Sequence, residues 1–536
     1  MTRIDERVST HVYKVKRISK EEMESIAGVC VYDQPPFCNA ACPLKLDVKA
    51  MLKAAAENDF KKAFKIYESI APFPLILSAG CGAPCEEKCR LCELGDGIAI
   101  GDIERAVALS GGAGEKRSIF RVRKKKKAAV FGSGLFALLL AGELEKKGYP
   151  VTAICGEADE EEYLRVAAGF LREDDFYTEL KRLRGKDIAF EFNAEMTREL
   201  FEEKRGGFDV LCASEKAALD IFPGAVRDEG IMLMESEGLL TGGGETVLEA
   251  ALGARKAALT ADRLAQGIDP RSARGEEGPV TSRLYTNPDL ARGLIRIKGC
   301  ESGYTREQAA EEAGRCMQCH CDECLRGCAY LCRFNKHPGL LSREIYNNTQ
   351  IIMGDHPLNR AMNACALCGQ CTVTCPHGFD MAHVCRTARE NMVDTDKMPL
   401  AAHEFALLDM LFSNGEAYLC RKQPGHSHCR YVFFPGCQAA AIAPEAVIAA
   451  YEDLCTRLKG GVALMLGCCG AIAHWAGRGE MYGEVRDKIA AELAALEDPV
   501  IIAGCPSCMK LLSEQDMAET VGIWTVLRDR GLPDGA

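Results

Sequence analysis

Hydrophobic and polar positions run along this chain with two periods. Ala128–Phe131 is a short apolar run that predicts a buried strand. An amphipathic helical pattern follows it to Lys147, and Tyr149–Ile154 reads as a second strand. Phe208–Ser214 is another strand, and Thr246–Leu264 another helix. Near the end, Tyr431–Phe434, Gly461–Leu466 and Val500–Gly504 read as strands. Helical patterns lie between them over Glu445–Leu458 and Glu480–Leu496. Strands alternating with helices predict parallel sheets. Lys49–Ile70 reads as helical. The expected fold class is a multidomain α and α/β protein.

Length and charge narrow the class. The 536 residues allow about three to five domains. A net charge of −11 argues against nucleic acid. No apolar run reaches the ~18 residues of a membrane helix, and Met1–Ser19 is charged throughout, unlike an export signal. The expectation is a cytoplasmic protein without a membrane segment. It carries 29 cysteines. In a long chain without an export signal, clustered cysteines point to metal ligands rather than disulfides.

Their spacing is specific. Cys365-x2-Cys368-x2-Cys371-x3-Cys375-Pro376 has the bacterial ferredoxin spacing. Short loops wrap three thiolates round one cubane, and the fourth turns to a neighbouring cluster. Upstream lie Cys316-x2-Cys319 and Cys321-x2-Cys324-x3-Cys328-x3-Cys332. The two groups exceed the eight thiolates of two [4Fe–4S] clusters, and which of the first six are surplus stays open. Zinc is the alternative, since CxxC pairs also bind it.

A third group is Cys30, Cys38-x3-Cys42-Pro43, Gly80-Cys81-x3-Cys85-x3-Cys89 and Cys92, followed by Ile100-Gly-Asp-Ile-Glu104-Arg105. From about Glu21 to Ala108 it resembles the helical iron–sulfur domain of the glutamate synthase small subunit. Dihydropyrimidine dehydrogenase and the large subunit of NADH-dependent ferredoxin:NADP oxidoreductase share that domain. The resemblance implies two [4Fe–4S] clusters. One would take Cys30, Cys38 and Cys89, and the other Cys42, Cys81, Cys85 and Glu104. The family's cysteine three residues after the first is here Asp33, so either Asp33 ligates, or Cys92 substitutes, or this cluster is altered or absent.

The strand Ala128–Phe131 runs into Gly132-Ser-Gly134-Leu-Phe-Ala137 and a helix, the context of a dinucleotide-binding turn. Gly132 permits the turn, and Gly134 admits a pyrophosphate near the helix N-terminus. Gly242, Gly243 and Glu245 resemble the turn that closes the FAD domains of the same family. The resemblance implies FAD on Gly132, Gly134, Ala137, Gly242, Gly243 and Glu245; the alternative is a flavin-free scaffold. The acid expected after the second strand is Cys155, with Glu157 out of register, and the family's turn aspartate is Gly244. About two dozen residues separate Ser214 from Glu237, too few for a domain of at least ~50. The family's NAD(P)H domain therefore has no room here. The basic run Arg121–Lys127 and the Gly/Pro-rich Gly267–Pro288 read as linkers.

The last group is Cys437, Cys468-Cys469 and Cys505-x2-Cys508, each following a predicted strand. Carboxyl ends of parallel strands meet at one crevice, so these five thiols converge. Cys-x30-Cys-Cys-x35-Cys-x2-Cys resembles the CCG domain of heterodisulfide reductase B and D subunits. That domain also occurs in succinate:quinone reductases, lactate-utilisation proteins and anaerobic glycerol-3-phosphate dehydrogenases. It implies a noncubane cluster, a cubane or zinc. The disulfide-splitting subunit carries two such motifs, and this chain carries one.

The expected order is a helical two-cluster domain (1–120), a truncated Rossmann-like FAD domain (121–268), a dicluster ferredoxin-like domain (269–415) and a CCG domain (416–536). Clusters strung along a chain carry single electrons, and a flavin converts pairs to singles. The resemblances imply an electron-transfer subunit of an anaerobic redox complex. Its partners would be hydrogenase-, dehydrogenase- or ferredoxin-type subunits. The alternative is a disulfide reductase acting at the CCG cluster.

Overall fold

A computed structural model describes residues 19–110, 123–272, 274–299, 303–399 and 402–532. Most of the charged N-terminal stretch, Arg121 and Val122 of the basic run, and Cys300 lie outside the described residues. The chain divides into two compact units, Val31–Cys321 and the remainder.

Val31–Cys321 opens with short helices: Phe37–Ala41, Val48–Ala56, Phe60–Glu68, Pro74–Gly80, Pro84–Glu87 and Ile100–Ser110. The stretch expected as helical over Lys49–Ile70 is broken in two. Asn58 turns left-handed at φ 60°, and Asp59 then caps the next helix by accepting the Lys62 N–H at 2.9 Å. Asp47 caps Val48–Ala56 in the same way.

A later helix, Arg306–Gly314, packs on Val48–Ala56 and Ile100–Ser110. A Thr305–Gln308 capping box starts it. Its buried Glu312 accepts the N–H groups of Ala99 (3.1 Å) and Ile297 (2.9 Å) and pairs with Arg315 (2.6 Å). Arg315 in turn donates to the Asp96 carbonyl. A buried charge pair holds only when its other hydrogen bonds are met, and here loop and helix meet them together. The stretch expected as a linker, Gly267–Pro288, is also tied down. Val280 N–H donates to the Ala40 carbonyl (2.8 Å), and the Ser282 hydroxyl to the Pro35 carbonyl (2.7 Å).

The same unit contains a six-stranded sheet. Its strands are β1 Ala128–Phe131, β2 Val151–Ile154, β3 Ile188–Glu191, β4 Val210–Ser214, β5 Leu233–Met234 and β6 Leu239–Gly242. The order is β3-β2-β1-β4-β6-β5, parallel except for β5. Helix Leu135–Lys146 leaves β1 and is covered by Val247–Gln266, whose Ala250, Ala254, Ala257, Ala258 and Ala261 are all buried. Small residues let two helices approach closely. Between β4 and β6 lie only helix Glu215–Ile221, a loop and the two-residue β5.

In the second unit, helix Lys20–Ala27 packs on Pro338–Gln350. Helices Glu323–Gly327, Ala329–Phe334, Asn359–Ala364, Gln370–Thr374 and Met381–Asp394 complete this helical part. Beyond helix Glu404–Asn414 stands a five-stranded sheet. Its strands are β7 Leu419–Arg421, β8 Tyr431–Phe434, β9 Val462–Leu466, β10 Val500–Ala503 and β11 Thr520–Gly522. The order is β11-β10-β8-β9-β7, with only β7 antiparallel. The predicted strands are β8, β9 and β10; the edge strands β7 and β11 carry no clear sequence signal.

Candidate functional site

Helix packing in the Val31–Cys321 unit gathers thiols from distant places. Cys38 lies in helix Phe37–Ala41, Cys89 follows Pro84–Glu87, and Cys316 and Cys319 follow Arg306–Gly314. These four line one small cavity with Phe37, Leu52, Leu91, Ile98 and Ile100. Burial raises the Cys38 pKa, and the nearby sulfurs of Cys316, Cys319 and Cys89 raise it further. Cys316 is pushed up to about 11, mainly by burial. Lys49 Nζ donates to the Cys319 carbonyl at 2.9 Å, and Gln318 reaches the Cys316 sulfur at 3.4 Å.

This grouping differs from the expected one. Cys30 stands in the other unit, where a Cβ on Gly339 would lie 2.9 Å from its Cβ. Asp33 is exposed. Cys92 is exposed and donates to the Glu86 carbonyl at 3.4 Å. Cys316 and Cys319 are the cysteines that line the cavity with Cys38 and Cys89. The sequence signal for them is the surplus of CxxC pairs in their region.

A second group is Cys42, Cys81, Cys85 and Glu104. Glu104 is 3 % exposed. Burial pushes its pKa up to about 8, with Tyr67 opposing. Burial pushes Cys81 up to about 12, helped by the Glu104 charge. Burial likewise raises Cys85, with Glu104, Cys42 and Cys81 adding to it. Tyr67 faces Glu104, and its buried hydroxyl lacks a partner of ordinary geometry. The raised values mark four potential metal ligands gathered in one buried site.

In the second unit, Cys324 and Cys371 are buried in one core, with Cys328, Cys365 and Cys375 against it. Cys332 and Cys368 are exposed. Helix Glu323–Gly327 packs on Gln370–Thr374, which brings the two cysteine runs together. Leu367 and Gly369 take left-handed φ of 52° and 75°, bending the backbone between Cys365 and Cys371. Backbone N–H groups of Leu367 and Met381 point at the Cys365 and Cys371 sulfurs. Cys321 is the last residue of the first unit.

The carboxyl ends of β8, β9 and β10 carry Cys437, Cys468–Cys469 and Cys505–Cys508. Their thiols form a chain of side-chain contacts from Cys437 to Cys468, Cys469 and Cys508. Gly436, at φ 87°, makes room for them: a Cβ there would lie 3.1 Å from Cys505 Cβ and 3.3 Å from Cys508 Sγ. Asn414 accepts the Cys468 N–H at 2.9 Å. His474 and Trp475 line a pocket with Arg386, Ser507 and Lys510. His426 and His428 lie in the loop before β8, where His428 pairs with Glu497 at 3.0 Å.

At the glycine turn, Gly132 takes φ 84° and donates to the Ile154 carbonyl at 2.8 Å. Gly134 takes φ 100°, and a Cβ there would meet nothing within 4 Å. Ala137 is buried in the helix behind. Cys155 is buried at the end of β2, and Glu157 reaches back to bond its thiol. The Glu157 Oε2 atom is buried without a partner. On the far side, a Cβ on Gly243 would collide with Glu215 Oε2, part of a carboxylate paired with Arg227 at 3.1 Å. Glu245 is exposed, and its N–H donates to Glu249. The turn and the unpartnered Glu157 oxygen suit the nucleotide half of a dinucleotide. Glu215 leaves less room beside Gly243.

The donor sets suit iron–sulfur clusters. Among the described residues, no group of three His, Cys, Asp or Glu side chains is gathered closely enough to hold a single metal ion.

Comparison with known proteins agrees on three stretches. Residues 7–112 match the family model described as dihydropyrimidine dehydrogenase domain II, 4Fe-4S cluster. Residues 315–380 match a 4Fe-4S dicluster domain, and residues 431–513 the CCG cysteine-rich domain. The NADPH-Fe(3+) oxidoreductase subunit beta of Geobacter sulfurreducens is 28 % identical over 230 residues, covering 40 % of this chain and 33 % of that protein. The NADP(+)-dependent formate dehydrogenase subunit beta of Moorella thermoacetica is 28 % identical over 159 residues, 25 % of this chain and 21 % of that one. The glutamate synthase [NADPH] small chain of Azospirillum brasilense is 29 % identical over 146 residues, 25 % and 29 % of the two chains. This chain thus spans a third or less of these relatives' length. No helix among the described residues is long and apolar enough to cross a membrane. Along two stretches the chain is similar to 4Fe-4S domains, and along a third to a cysteine-rich domain.

Proposed function

We propose that this chain is an iron–sulfur oxidoreductase, the electron-transfer subunit of a redox complex. The observation that carries the reading is the gathering of cysteines into separate groups, one of them the partly buried Cys38, Cys89, Cys316 and Cys319 around one cavity. The clusters would supply one-electron chemistry. The protein's own part is to set their burial, spacing and hydrogen bonds, which tune potential. Cys38, Cys89, Cys316 and Cys319 would hold one [4Fe–4S] cluster, and Cys42, Cys81, Cys85 and Glu104 another. Two more would sit among Cys321, Cys324, Cys328, Cys332 and Cys365, Cys368, Cys371, Cys375. A fifth would rest on Cys437, Cys468, Cys469, Cys505 and Cys508.

FAD at Gly132 and Gly134 belongs to the same reading, supported by the open turn and the unpartnered Glu157 oxygen. The short span between β4 and β6 has no room for a nicotinamide domain, so a partner subunit would bring the electron pair in. The names of the Geobacter and Moorella relatives, subunits of NADPH- and NADP-dependent enzymes, favour this.

The test is iron and flavin per chain after anaerobic purification, with reduction followed optically. The expected result is about 20 irons and one FAD, bleached by dithionite and not by NADPH alone. Unaided reduction by NADPH would defeat the partner requirement. Iron without flavin would leave the glycine turn as scaffold.

The polar pocket beside Ser507 and His474 favours a second reading, a disulfide reductase acting at the CCG site. Partner-free oxidation of reduced protein by a disulfide supports it, and no such oxidation removes it.

A further inference from the structure

Helix Met381–Asp394 carries two groups that converge on one ligand candidate, Cys365. The first is Arg389, a guanidinium only 2 % exposed. It donates to the Met362 carbonyl at 2.8 and 2.6 Å, to the Cys365 carbonyl at 2.5 Å, and to the Trp475 carbonyl at 2.5 Å. Those acceptors are neutral carbonyls. A buried cation demands a nearby negative charge, and of the groups facing it, the sulfurs of Cys365 and Cys385 and the Tyr330 hydroxyl, the one the iron–sulfur reading makes anionic is Cys365. The second group is Cys385. Its side chain is buried and bonds to that of Cys365. On its far side stands the Tyr330 hydroxyl, 3.6 Å away. Cys385 lies outside the ferredoxin spacing, so the iron–sulfur reading leaves its sulfur off the cluster. Against an iron-bound thiolate it can act only as donor.

We propose that Cys385 and Arg389 are positioning residues that raise the reduction potential of the centre held by Cys365. The inference rests on the iron–sulfur reading above. A reduced cluster carries one more negative charge than an oxidised one. A fixed cation and an S–H donor at the same ligand stabilise that added charge more than they stabilise the oxidised form. Arg389 also binds Trp475, six residues past Cys469 in the CCG loop. Arg386, one turn earlier, lies 3.2 Å from His474 in that loop. The raised potential therefore lies at the end of the dicluster part that adjoins the CCG site, where an electron arriving from a low-potential protein donor would next be passed on.

The test is an anaerobic redox titration of the full chain, followed by electron paramagnetic resonance, with iron counted for each variant. Cys385→Ala and Arg389→Gln are expected to lower the midpoint potential of one centre and leave the others in place. Arg389→Lys, which keeps the charge, and Cys385→Ser, which keeps a donor, are expected to fall between those variants and wild type. If Arg389→Gln loses iron, the two cysteine variants decide. Unchanged potentials in iron-replete variants overturn the proposal, as does an equal shift of every centre. A wild-type chain without iron would instead overturn the underlying reading, which separates the two failures.

Discussion

In the first sheet the central strand β1 runs into Gly132 and Gly134; in the second, β8 runs into Gly436 and Cys437. Each loop carries a left-handed glycine at or next to its start, at φ 84° and 87°. In both, the missing Cβ makes room for the loop of a neighbouring strand. A methyl group on Gly132 would strike Ser214 Oγ at the end of β4, and one on Gly436 would come within 3.1 Å of Cys505 after β10. Parallel topology thus fixes where a ligand lies, at the carboxyl ends beside the central strand. Side chains in the loops decide which ligand. The first sheet offers backbone N–H groups and open space, suited to phosphate. The second offers sulfur, suited to metal.

The comparison breaks most sharply at the cysteines. Cys469→Ser is expected to remove the CCG centre, lowering iron by about four atoms per chain and leaving flavin content unchanged. Iron analysis with flavin fluorescence checks this. A loss of flavin too would mean the two loops are not independent.

Thiols held by separate helices give the next contrast. Cys316→Ser is expected to weaken or lose the cluster that Cys38 and Cys89 share, while Cys30→Ser leaves that cluster's spectrum intact. Serine keeps the shape and is a poorer iron ligand. Loss of the same signal in Cys30→Ser, with Cys316→Ser unaffected, would restore the grouping that the family resemblance implied.

These two cysteines also mark what the sequence concealed. The strands β1, β2, β4, β8, β9 and β10 were readable because each is a short apolar run next to a turn residue. The convergence of Cys437, Cys468, Cys469, Cys505 and Cys508 followed from topology alone. Cys316 and Cys319 were not assignable, because they precede Cys321 closely and so read as part of the ferredoxin run. What separates them is Glu312 and Arg315, whose buried pairing ties their helix to the Asp96–Ala99 loop. Such a pairing has no periodicity to read. Gly267–Pro288 looked like a linker from composition, but composition does not reveal that Val280 and Ser282 find backbone partners at Ala40 and Pro35. Cys385 and Arg389 lacked a spacing motif altogether.

A smaller effect tests the glycine loops themselves. Gly132→Val would force a branched side chain into a left-handed position and against Ala217 Cβ, 2.7 Å from the new Cβ. The expected cost is about 3 kcal/mol, read as a lower thermal midpoint with flavin lost. Gly134→Ala meets no atom within 4 Å, so only the backbone strain of its φ 100°, ψ 177° conformation remains, about 1–3 kcal/mol. It is expected to stay folded and bind flavin more weakly. Equal midpoints for the two variants would show that close approach to Ser214 and Ala217 is not what Gly132 supplies.

The smallest effect lies behind the first sheet, where Asp262 on helix Val247–Gln266 holds the entry to β1 and β2. It accepts from Tyr149 at 2.8 Å, pairs with Lys124, and lies 3.8 Å from Lys147. Burial alone would raise its pKa; the bonds from Lys124 and Tyr149 outweigh this and hold it below the usual carboxylate value. A carboxylate depressed in the folded state stabilises it above the unfolded pKa of ~4, and that contribution fades as pH falls through the folded value. Because the side chain is partly solvated, the contribution is on the order of 0.5–1 kcal/mol. Asp262→Asn is therefore expected to melt slightly below wild type at pH 7, and the gap to close as the buffer is taken below pH ~4. A gap that persists in acid would show that the loss does not come from the Asp262 charge. The second sheet gives the control, since Asp262 has no part in it: the CCG spectrum should not change with this substitution at either pH.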